Sequence, residues 1–404
     1  MSRGGQRRLS VFLVGTEFYR SYGGIQYVNR LLLQAFNQMA TRTPLDMELF
    51  SYVDGPEHFP TNLPGAANLR WHGAQRRRGA LAWKLSKRLA AVRPDLVILT
   101  HVSLCPFEKV VRSLVPGARV ALLAHGTEVW SPLQRQTAMF LSRVDSFVSP
   151  SAFTAEKLAE VHGIHPDRIT VIPHGLDSEW MDDSSATASP LKRASDDGRP
   201  LLLSVTRLSR ADREGKGIDL VLKALPTVAA QFPSVRYRVV GGGAELPRLA
   251  ELVRSLGLEG RTELPGARGR EALRQAYREA DIFVLPTQVE GFGVVFLEAM
   301  FNRLPVVAVK ASATPEVVED GVTGLLVTPG RSDELADALM SLLADSGLRQ
   351  TMGEAGRRRI ETMYLFEHFV SRWERWLASQ VPEALYAVRQ MTAFSAARAA
   401  AGAA

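Results

Sequence analysis

The chain has a single cysteine, Cys105, in 404 residues. One thiol closes no intramolecular disulfide and builds no cysteine-based metal site. The chain therefore fits a reducing compartment, and Cys105 reads as a small apolar side chain. No apolar run approaches the roughly 18 residues a membrane-spanning helix needs. The basic start, Met1 to Arg8, leads into a short apolar run centred on Val11 to Gly15. That run passes into Thr16 and Glu17 with no small-residue cleavage site, so it reads as a first strand and not a signal peptide. RNP, zinc-finger and basic-zipper signatures are missing too. Nucleic acid is thus not expected as a partner, although the formal charge is +7. A charge of that sign suits a phosphorylated substrate or an anionic membrane equally well.

What is present is an ordinary globular composition, 46% hydrophobic and 23% charged, on a chain long enough for two or three domains. Apolar strands alternate with helical patterns. Strands are expected in the first half at Leu9–Val14, Leu96–Thr100, Arg119–Ala124, Ser146–Val148 and Thr170–Ile172, with helices near Gly24–Met39, Ala80–Val92, Thr137–Arg143 and Ala152–His162. The second half repeats the theme with strands at Leu201–Val205, Arg236–Val240, Thr262–Leu264, Ile282–Leu285, Val306–Val309 and Leu325–Val327. Its helices fall near Gly217–Gln231, Leu246–Leu256, Arg270–Glu279, Val294–Asn302, Asp333–Ala344 and Leu348–Met363. Uniformly apolar strands indicate parallel sheets covered on both faces, hence two doubly wound α/β domains. The expected division is a first domain over 1–180, a Ser/Ala/Asp/Pro-rich linker over 181–200 and a second domain over 201–365. An aromatic-striped helix over 366–381 and an Ala-rich tail over 382–404 follow.

The most informative segment runs from Leu285 to Met300. A buried strand ends at Pro286, a loop with Gly291 and Gly293 follows, and an apolar helix begins at Val294. Free N–H groups and the partial positive charge at a helix start favour phosphate. Glu298 stands alone in an apolar run, where a carboxylate needs a partner. Sugar hydroxyls are one such partner; a neighbouring backbone group or Arg303 is another. Arg207 at a strand end and Lys216 before a helix suit a ligand with two phosphates, unless they are a solvated basic loop with Arg210 and Arg213. Val240-Gly241-Gly242-Gly243-Ala244-Glu245 is a glycine-rich strand-to-helix turn, a common nucleotide neighbour. Tyr22-Gly23-Gly24-Ile25 opens the first helix, as a phosphate approach or as a tight turn. His125 follows a strand, where ligands bind in open α/β sheets, as a ligand contact or as a structural residue.

Glu290-Gly291-Phe292-Gly293, with a second Glu at Glu298, between Ala280-Asp281-Ile282-Phe283-Val284-Leu285-Pro286 and Pro305-Val306-Val307, resembles the E-x7-E motif of the retaining glycosyltransferases of family 4. The resemblance covers roughly Leu9 to Leu377. It implies the GT-B fold, two Rossmann-like domains facing across a cleft with a C-terminal helix crossing back to the first. It places Glu290 by the donor sugar and Glu298 on the ribose, with the Gly291, Phe292, Gly293, Val294 and Val295 backbone on the diphosphate. Arg207 and Lys216 grip that diphosphate. Gly242 lines the nucleoside pocket with the loop Pro265 to Arg268, where Ala267 and Arg268 face the base. Gly23 and Gly24 approach phosphate from the first domain, and His125 contacts the reacting sugar. His174, in Ile172-Pro173-His174-Gly175-Leu176-Asp177, reads as an interdomain hinge.

The resemblance thus implies Glu290, His125, Arg207 and Lys216 as the catalytic set and a nucleotide diphosphate sugar as co-substrate. The family's retention is ascribed to front-face attack, with the leaving phosphate taking the acceptor's proton and the two domains closing over the donor. No cofactor and no divalent metal are expected, since Asp182-Asp183 and Asp196-Asp197 lie in the linker with no strand to aim them. The acceptor is expected on the first domain, as a saccharide or a polyprenol-linked saccharide in polysaccharide or envelope glycan synthesis. Arg76-Arg77-Arg78 and the helix bearing Trp83, Lys84, Lys87 and Arg88 are either a solvated face over a core or a surface that would meet an anionic membrane; the expected location is the cytoplasm, in the second case at the inner face of the cell membrane. The alternatives are another GT-B enzyme, an epimerase or a glucan synthase, and a non-catalytic sugar-nucleotide-binding protein. Tyr22-Gly23-Gly24 lacks the lysine a glucan synthase carries there.

Overall fold

Aliphatic strand segments separated by amphipathic helices build two parallel sheets in the computed structural model, which describes residues 8–21, 23–59, 69–177, 180, 198–210 and 215–381. Most of the expected linker, the Ala-rich tail, Tyr22 and Arg213 lie outside the described residues, as do both linker Asp pairs. The described chain up to Pro173, together with the helix from Phe366, forms one unit. His174–Leu365 forms the other.

The first unit carries β1 (Leu9–Gly15), β2 (Leu45–Ser51), β3 (Leu69–Gly73), β4 (Leu96–Leu99), β5 (Arg119–Leu123), β6 (Ser146–Ser149) and β7 (Ile169–Val171), in the order β3-β2-β1-β4-β5-β6-β7. Every pairing is parallel. Its helices are α1 (Gly24–Ala40), α2 (Arg78–Val92), α3 (Phe107–Leu114), α4 (Arg135–Leu141) and α5 (Ala152–His162). β2, β3 and α3 were not expected from the sequence. β2 escapes an apolar template because Glu48 interrupts it. The structure buries that carboxylate beside His72 of β3 (2.9 Å) and Arg88 of α2 (2.8 Å). Burial opposes the charge, but hydrogen bonds from His72 and Arg88 hold the Glu48 carboxyl down to about 2.

The second unit carries β8 (Leu201–Val205), β9 (Arg236–Val240), β10 (Thr262–Gly266), β11 (Ile282–Leu285), β12 (Val306–Val309) and β13 (Gly324–Val327), ordered β10-β9-β8-β11-β12-β13 and again parallel. Between and after them come α6 (Ile218–Gln231), α7 (Leu246–Ser255), α8 (Arg270–Glu279), α9 (Val294–Phe301), α10 (Thr314–Val317), α11 (Ser332–Ala344) and α12 (Ser346–Met363). β8, β11 and β12 are buried along their whole length, as expected for strands covered on both faces. Both sheets reverse their strand order once, at β1/β4 and at β8/β11. Ligands of open α/β sheets bind beyond the strand ends at such reversals.

The last described helix, α13 (Phe366–Gln380), belongs to the first unit. Its stripe Phe366, Phe369, Val370, Trp373, Trp376 and Leu377 is buried. Trp373 meets Phe36 of α1 edge-on at 5.8 Å and Trp376 at 5.0 Å. Trp373→Ala is expected to destabilise the first unit by roughly 3–5 kcal/mol, the usual loss for a buried aromatic. A lowered denaturant midpoint would register it; an unchanged midpoint would contradict this packing.

Candidate functional site

The loops that leave β8 and β11 are pressed together. Gly217 caps α6 in the left-handed conformation (φ 72°), and a Cβ there would stand 2.3 Å from the carbonyl oxygen of Pro286. The backbone N–H of Gln288 donates to Gly215 at 2.8 Å. This contact carries Lys216 to Glu290, with Nζ 2.9 Å from Oε2 and both side chains about one-fifth exposed. The Glu290 backbone is pinned from the other side. Its N–H donates to Ser312 Oγ at 3.0 Å, and its carbonyl accepts from Ala313 N–H at 3.2 Å. The expectation set Lys216 against a diphosphate and Glu290 against a sugar. The structure pairs them with each other, because two opposite charges in a partly buried loop are lowest in energy when close.

Arg207 and Lys216 line one shallow, open depression, with Leu208, Ser209, Asp219 and Glu245. A third cation of its wall, Arg248, is committed elsewhere: it chelates Asp219 at 2.7 and 2.8 Å and reaches Glu245 at 2.5 Å. Arg207 is exposed. The glycine turn after β9 closes the same end of the sheet, with Leu208 N–H donating to Gly242 at 3.0 Å. A Cβ on Gly242 would touch Ala267 at 3.0 Å, so these two expected nucleoside neighbours are adjacent. Pro265 and Gly266 complete β10 and are not part of the loop, which starts at the exposed Ala267 and Arg268.

Gly293 caps α9 with φ 92°, a value that favours glycine, and Val294 and Val295 form its half-buried first turn. Phe292 is buried against His174 (ring centroids 5.0 Å) and Tyr364 (5.9 Å), which anchors the loop ahead of the helix. Glu298, 7% exposed, accepts the Tyr277 hydroxyl at 2.7 Å. Arg303, weighed as its partner on sequence, pairs instead with Glu354 at 2.9 Å. Asp177, held by Arg270 at 3.1 and 3.3 Å, stands close enough to act on Glu298 by charge. Burial pushes the Glu298 carboxyl up to about 7; the Tyr277 bond lowers it, Asp177 raises it and Arg270 lowers it.

Sequence reading misses Tyr277, Arg270, Ser312 and Arg248, and it gives Asp177 only as part of a hinge turn. These side chains orient others and sit outside the motif. The one available signal was a buried tyrosine at helical spacing in α8, which also reads as plain core.

The remaining expected residues lie in the first unit. Gly23 precedes α1 in an extended conformation, and Gly24 opens it with room for a side chain. His125 follows β5, with Nε2 2.6 Å from the carbonyl oxygen of Thr100 and its backbone N–H on Glu128 at 2.5 Å.

Two family models match the chain: "Glycosyltransferase Family 4" over residues 22–180 and "Glycosyl transferases group 1" over 187–359. A GDP-mannose-dependent monoacylated alpha-(1-6)-phosphatidylinositol monomannoside mannosyltransferase of Corynebacterium glutamicum is 31% identical over 284 residues, 65% of this chain and 71% of that protein. The chain belongs to the group 1, family 4 glycosyltransferases. The GDP-mannose-dependent alpha-(1-6)-phosphatidylinositol monomannoside mannosyltransferase of Mycobacterium tuberculosis is 29% identical over 272 residues, 64% of this glycosyltransferase and 69% of the relative. The crystal structure of Anabaena HepE with UDP and glucose superposes with a TM-score of 0.72 at 20% identity, covering 92% of this chain and all of that one (100%). The fold is GT-B in class, two parallel-sheet Rossmann-like domains. As a member of this family the chain is a transferase of class EC 2.4.

The raised carboxyl of this glycosyltransferase has a measurable consequence. Below pH 4.5 folded and unfolded chains both keep the Glu298 proton. As pH rises toward 7 the unfolded chain has lost it and the folded chain retains it, so stability falls across that window. Glu298→Gln cannot titrate. Its melting temperature relative to wild type is expected to climb from pH 4.5 to pH 7 and then level off. At the plateau the gain approaches roughly 3 kcal/mol. A difference that stays flat with pH would contradict the assignment.

Proposed function

We propose that the chain moves a hexose-type sugar from a nucleotide diphosphate sugar to a saccharide or lipid-linked saccharide, with retention of configuration and without a divalent metal. The observation that carries this reading is the Lys216–Glu290 pair beside the Arg207 depression, with Glu298 one helical stretch further along α9. The leaving diphosphate takes its charge compensation from Arg207, Lys216 and the N–H groups at the start of α9. Fixed positive groups aimed where negative charge develops usually supply most of the rate acceleration in such catalysis. Arrival of a diphosphate gives Lys216 a second anion to share and releases Glu290 to orient the transferring sugar. Glu298, ionised, accepts the ribose hydroxyls. Front-face attack lets the departing phosphate take the acceptor's proton. The HepE complex with UDP and glucose supports a nucleotide-sugar donor. Two relatives named for GDP-mannose put that sugar nucleotide first among donors to try.

The same relatives are named for phosphatidylinositol mannoside acceptors, which supports a lipid-linked acceptor in envelope glycan synthesis. Among the described residues no helix is long and apolar enough to cross a membrane. Peripheral contact is proposed through the exposed side of α2. Leu81, Leu85 and Leu89 of that helix are buried in the core, and Arg88 is tied to Glu48. Trp83 (64% exposed), Lys87 over its ring and Arg76 to Arg78 are what remain outward.

In a thermal-shift series over GDP-mannose, UDP-glucose and ADP-glucose, the cognate donor raises the melting temperature by mass action. Lys216→Ala is expected to lower the transfer rate by roughly 100- to 1000-fold, as for loss of one preorganised charge donor. Excess EDTA is expected to leave the rate unchanged. No shift with any nucleotide sugar, or an EDTA-abolished rate restored by Mn2+, would overturn the corresponding part.

A further inference from the structure

Five described residues other than glycine hold a positive φ. Arg93 caps the end of α2 and Arg303 follows the end of α9, and the left-handed conformation is common where a helix stops. Gln75 and Arg76 turn the chain between β3 and α2. Ser312, at φ 45°, stands in the turn between β12 and α10, where no helix is ending. That conformation suits glycine and strains an L-residue with a side chain. Such strain persists only where the surroundings impose it, and it gathers at functional sites.

What the conformation provides is the aim of one hydroxyl. Ser312 Oγ accepts the backbone N–H of Glu290 at 3.0 Å and donates to the carbonyl oxygen of Gln288 at 3.1 Å. Its one proton and one lone pair are spent on two peptide groups of a single loop, on either side of the exposed Val289. The next residue adds a third bond, from Ala313 N–H to the Glu290 carbonyl at 3.2 Å. Both backbone polar groups of Glu290 therefore end on the β12–α10 turn. The other edge of the loop is held by Gln288 N–H on Gly215, beside Lys216. Between these two seams the Glu290 carboxylate reaches Lys216 Nζ at 2.9 Å. Among the described residues the Ser312 hydroxyl has no hydrogen bond to Arg207, Lys216 or the first turn of α9.

We propose that Ser312 is a positioning residue for the sugar-contacting carboxylate: its hydroxyl, aimed by a strained backbone, fixes where Glu290 stands against the transferring hexose. The diphosphate grip is left to Arg207, Lys216 and the start of α9. The assignment rests on the nucleotide-sugar reading for the role of Glu290, and it adds a reason for the strain at Ser312. A reacting group displaced by about 1 Å can lose roughly 100-fold in rate. Loss of the hydroxyl frees the Glu290 loop on one edge while the cations keep their places, so the rate suffers and diphosphate binding does not.

Three variants separate the hydroxyl from the φ angle. Ser312→Ala removes the hydroxyl and keeps the strain. Ser312→Gly removes both. Ser312→Thr keeps the hydroxyl and adds a branch that the left-handed conformation tolerates poorly. Calorimetric titration with GDP, UDP and ADP gives diphosphate affinity. Release of nucleoside diphosphate from GDP-mannose, UDP-glucose or ADP-glucose, with water as acceptor, gives kcat. Ser312→Ala and Ser312→Gly are expected to bind the nucleoside diphosphate as wild type does and to release it about 10- to 100-fold more slowly. Ser312→Thr is expected to keep the wild-type rate. Stability runs the other way: Ser312→Gly melts above Ser312→Ala, and Ser312→Thr melts below wild type. Scaffolding alone would make rate follow stability, so rates that rank with melting temperature overturn the proposal. Wild-type kcat in both Ser312→Ala and Ser312→Gly overturns it too, as does an equal loss of diphosphate affinity and rate. Where wild type releases too little diphosphate to time, a crystal structure of Ser312→Gly decides. A displaced Glu290 carboxylate supports the proposal, and an unmoved one overturns it. Wild type by itself reports on the donor reading. If it binds no nucleotide sugar, that reading falls and takes this one with it; if it binds and the variants match it, only this one falls.

Discussion

Lys216 and Glu290 meet at 2.9 Å because two loops of one sheet have nowhere else to go. The order of the second sheet reverses between β8 and β11, so the segments leaving these neighbours emerge side by side. Gly217 lets the first loop touch Pro286 of the second, and the Gln288 bond to Gly215 closes the contact. A helix start, a lysine and a carboxylate are thereby gathered on a framework of buried strands. The rigidity is inherited from the sheet, and the paired charges sit a few positions beyond its edge. That arrangement holds charged groups in place before any ligand arrives, which is what electrostatic catalysis requires.

Buried charge is handled in two ways. Glu48 is surrounded by His72 and Arg88 and stays ionised, which makes it an anchor among β2, β3 and α2. Glu298 has one neutral donor, Tyr277, and the Asp177 charge opposes its ionisation. The protein therefore holds Glu298 near neutrality in pKa, ready to gain from further hydroxyl donors. The contrast follows the partners: cations fix a carboxylate, whereas a lone phenol leaves it poised.

Much of this was legible in the residues. The apolar strands of the second unit, the glycine-marked start of α9 and the isolated Glu298 follow from periodicity and from the intolerance of an unpaired carboxylate in an apolar helix. The aromatic stripe of α13 reads directly as packing. What stayed hidden depends on contacts distant in sequence. β2 failed the apolar template because Arg88, 40 residues on, neutralises Glu48. Tyr277 could not be tied to Glu298 without knowing that α8 lies beside α9. The pairing of Lys216 with Glu290 spans 74 residues and needs the strand order.

The central claim is that the paired loops of the second sheet seat a pyrophosphate while Glu298 receives the attached pentose. A crystal structure of the chain with its cognate nucleoside diphosphate tests this most directly. The account predicts phosphate oxygens within hydrogen-bond reach of Lys216 Nζ and the Arg207 guanidinium, and ribose hydroxyls on the Glu298 carboxylate. A diphosphate bound away from Gly293, with the Lys216–Glu290 pair intact and Glu298 still bonded to Tyr277 alone, would contradict it.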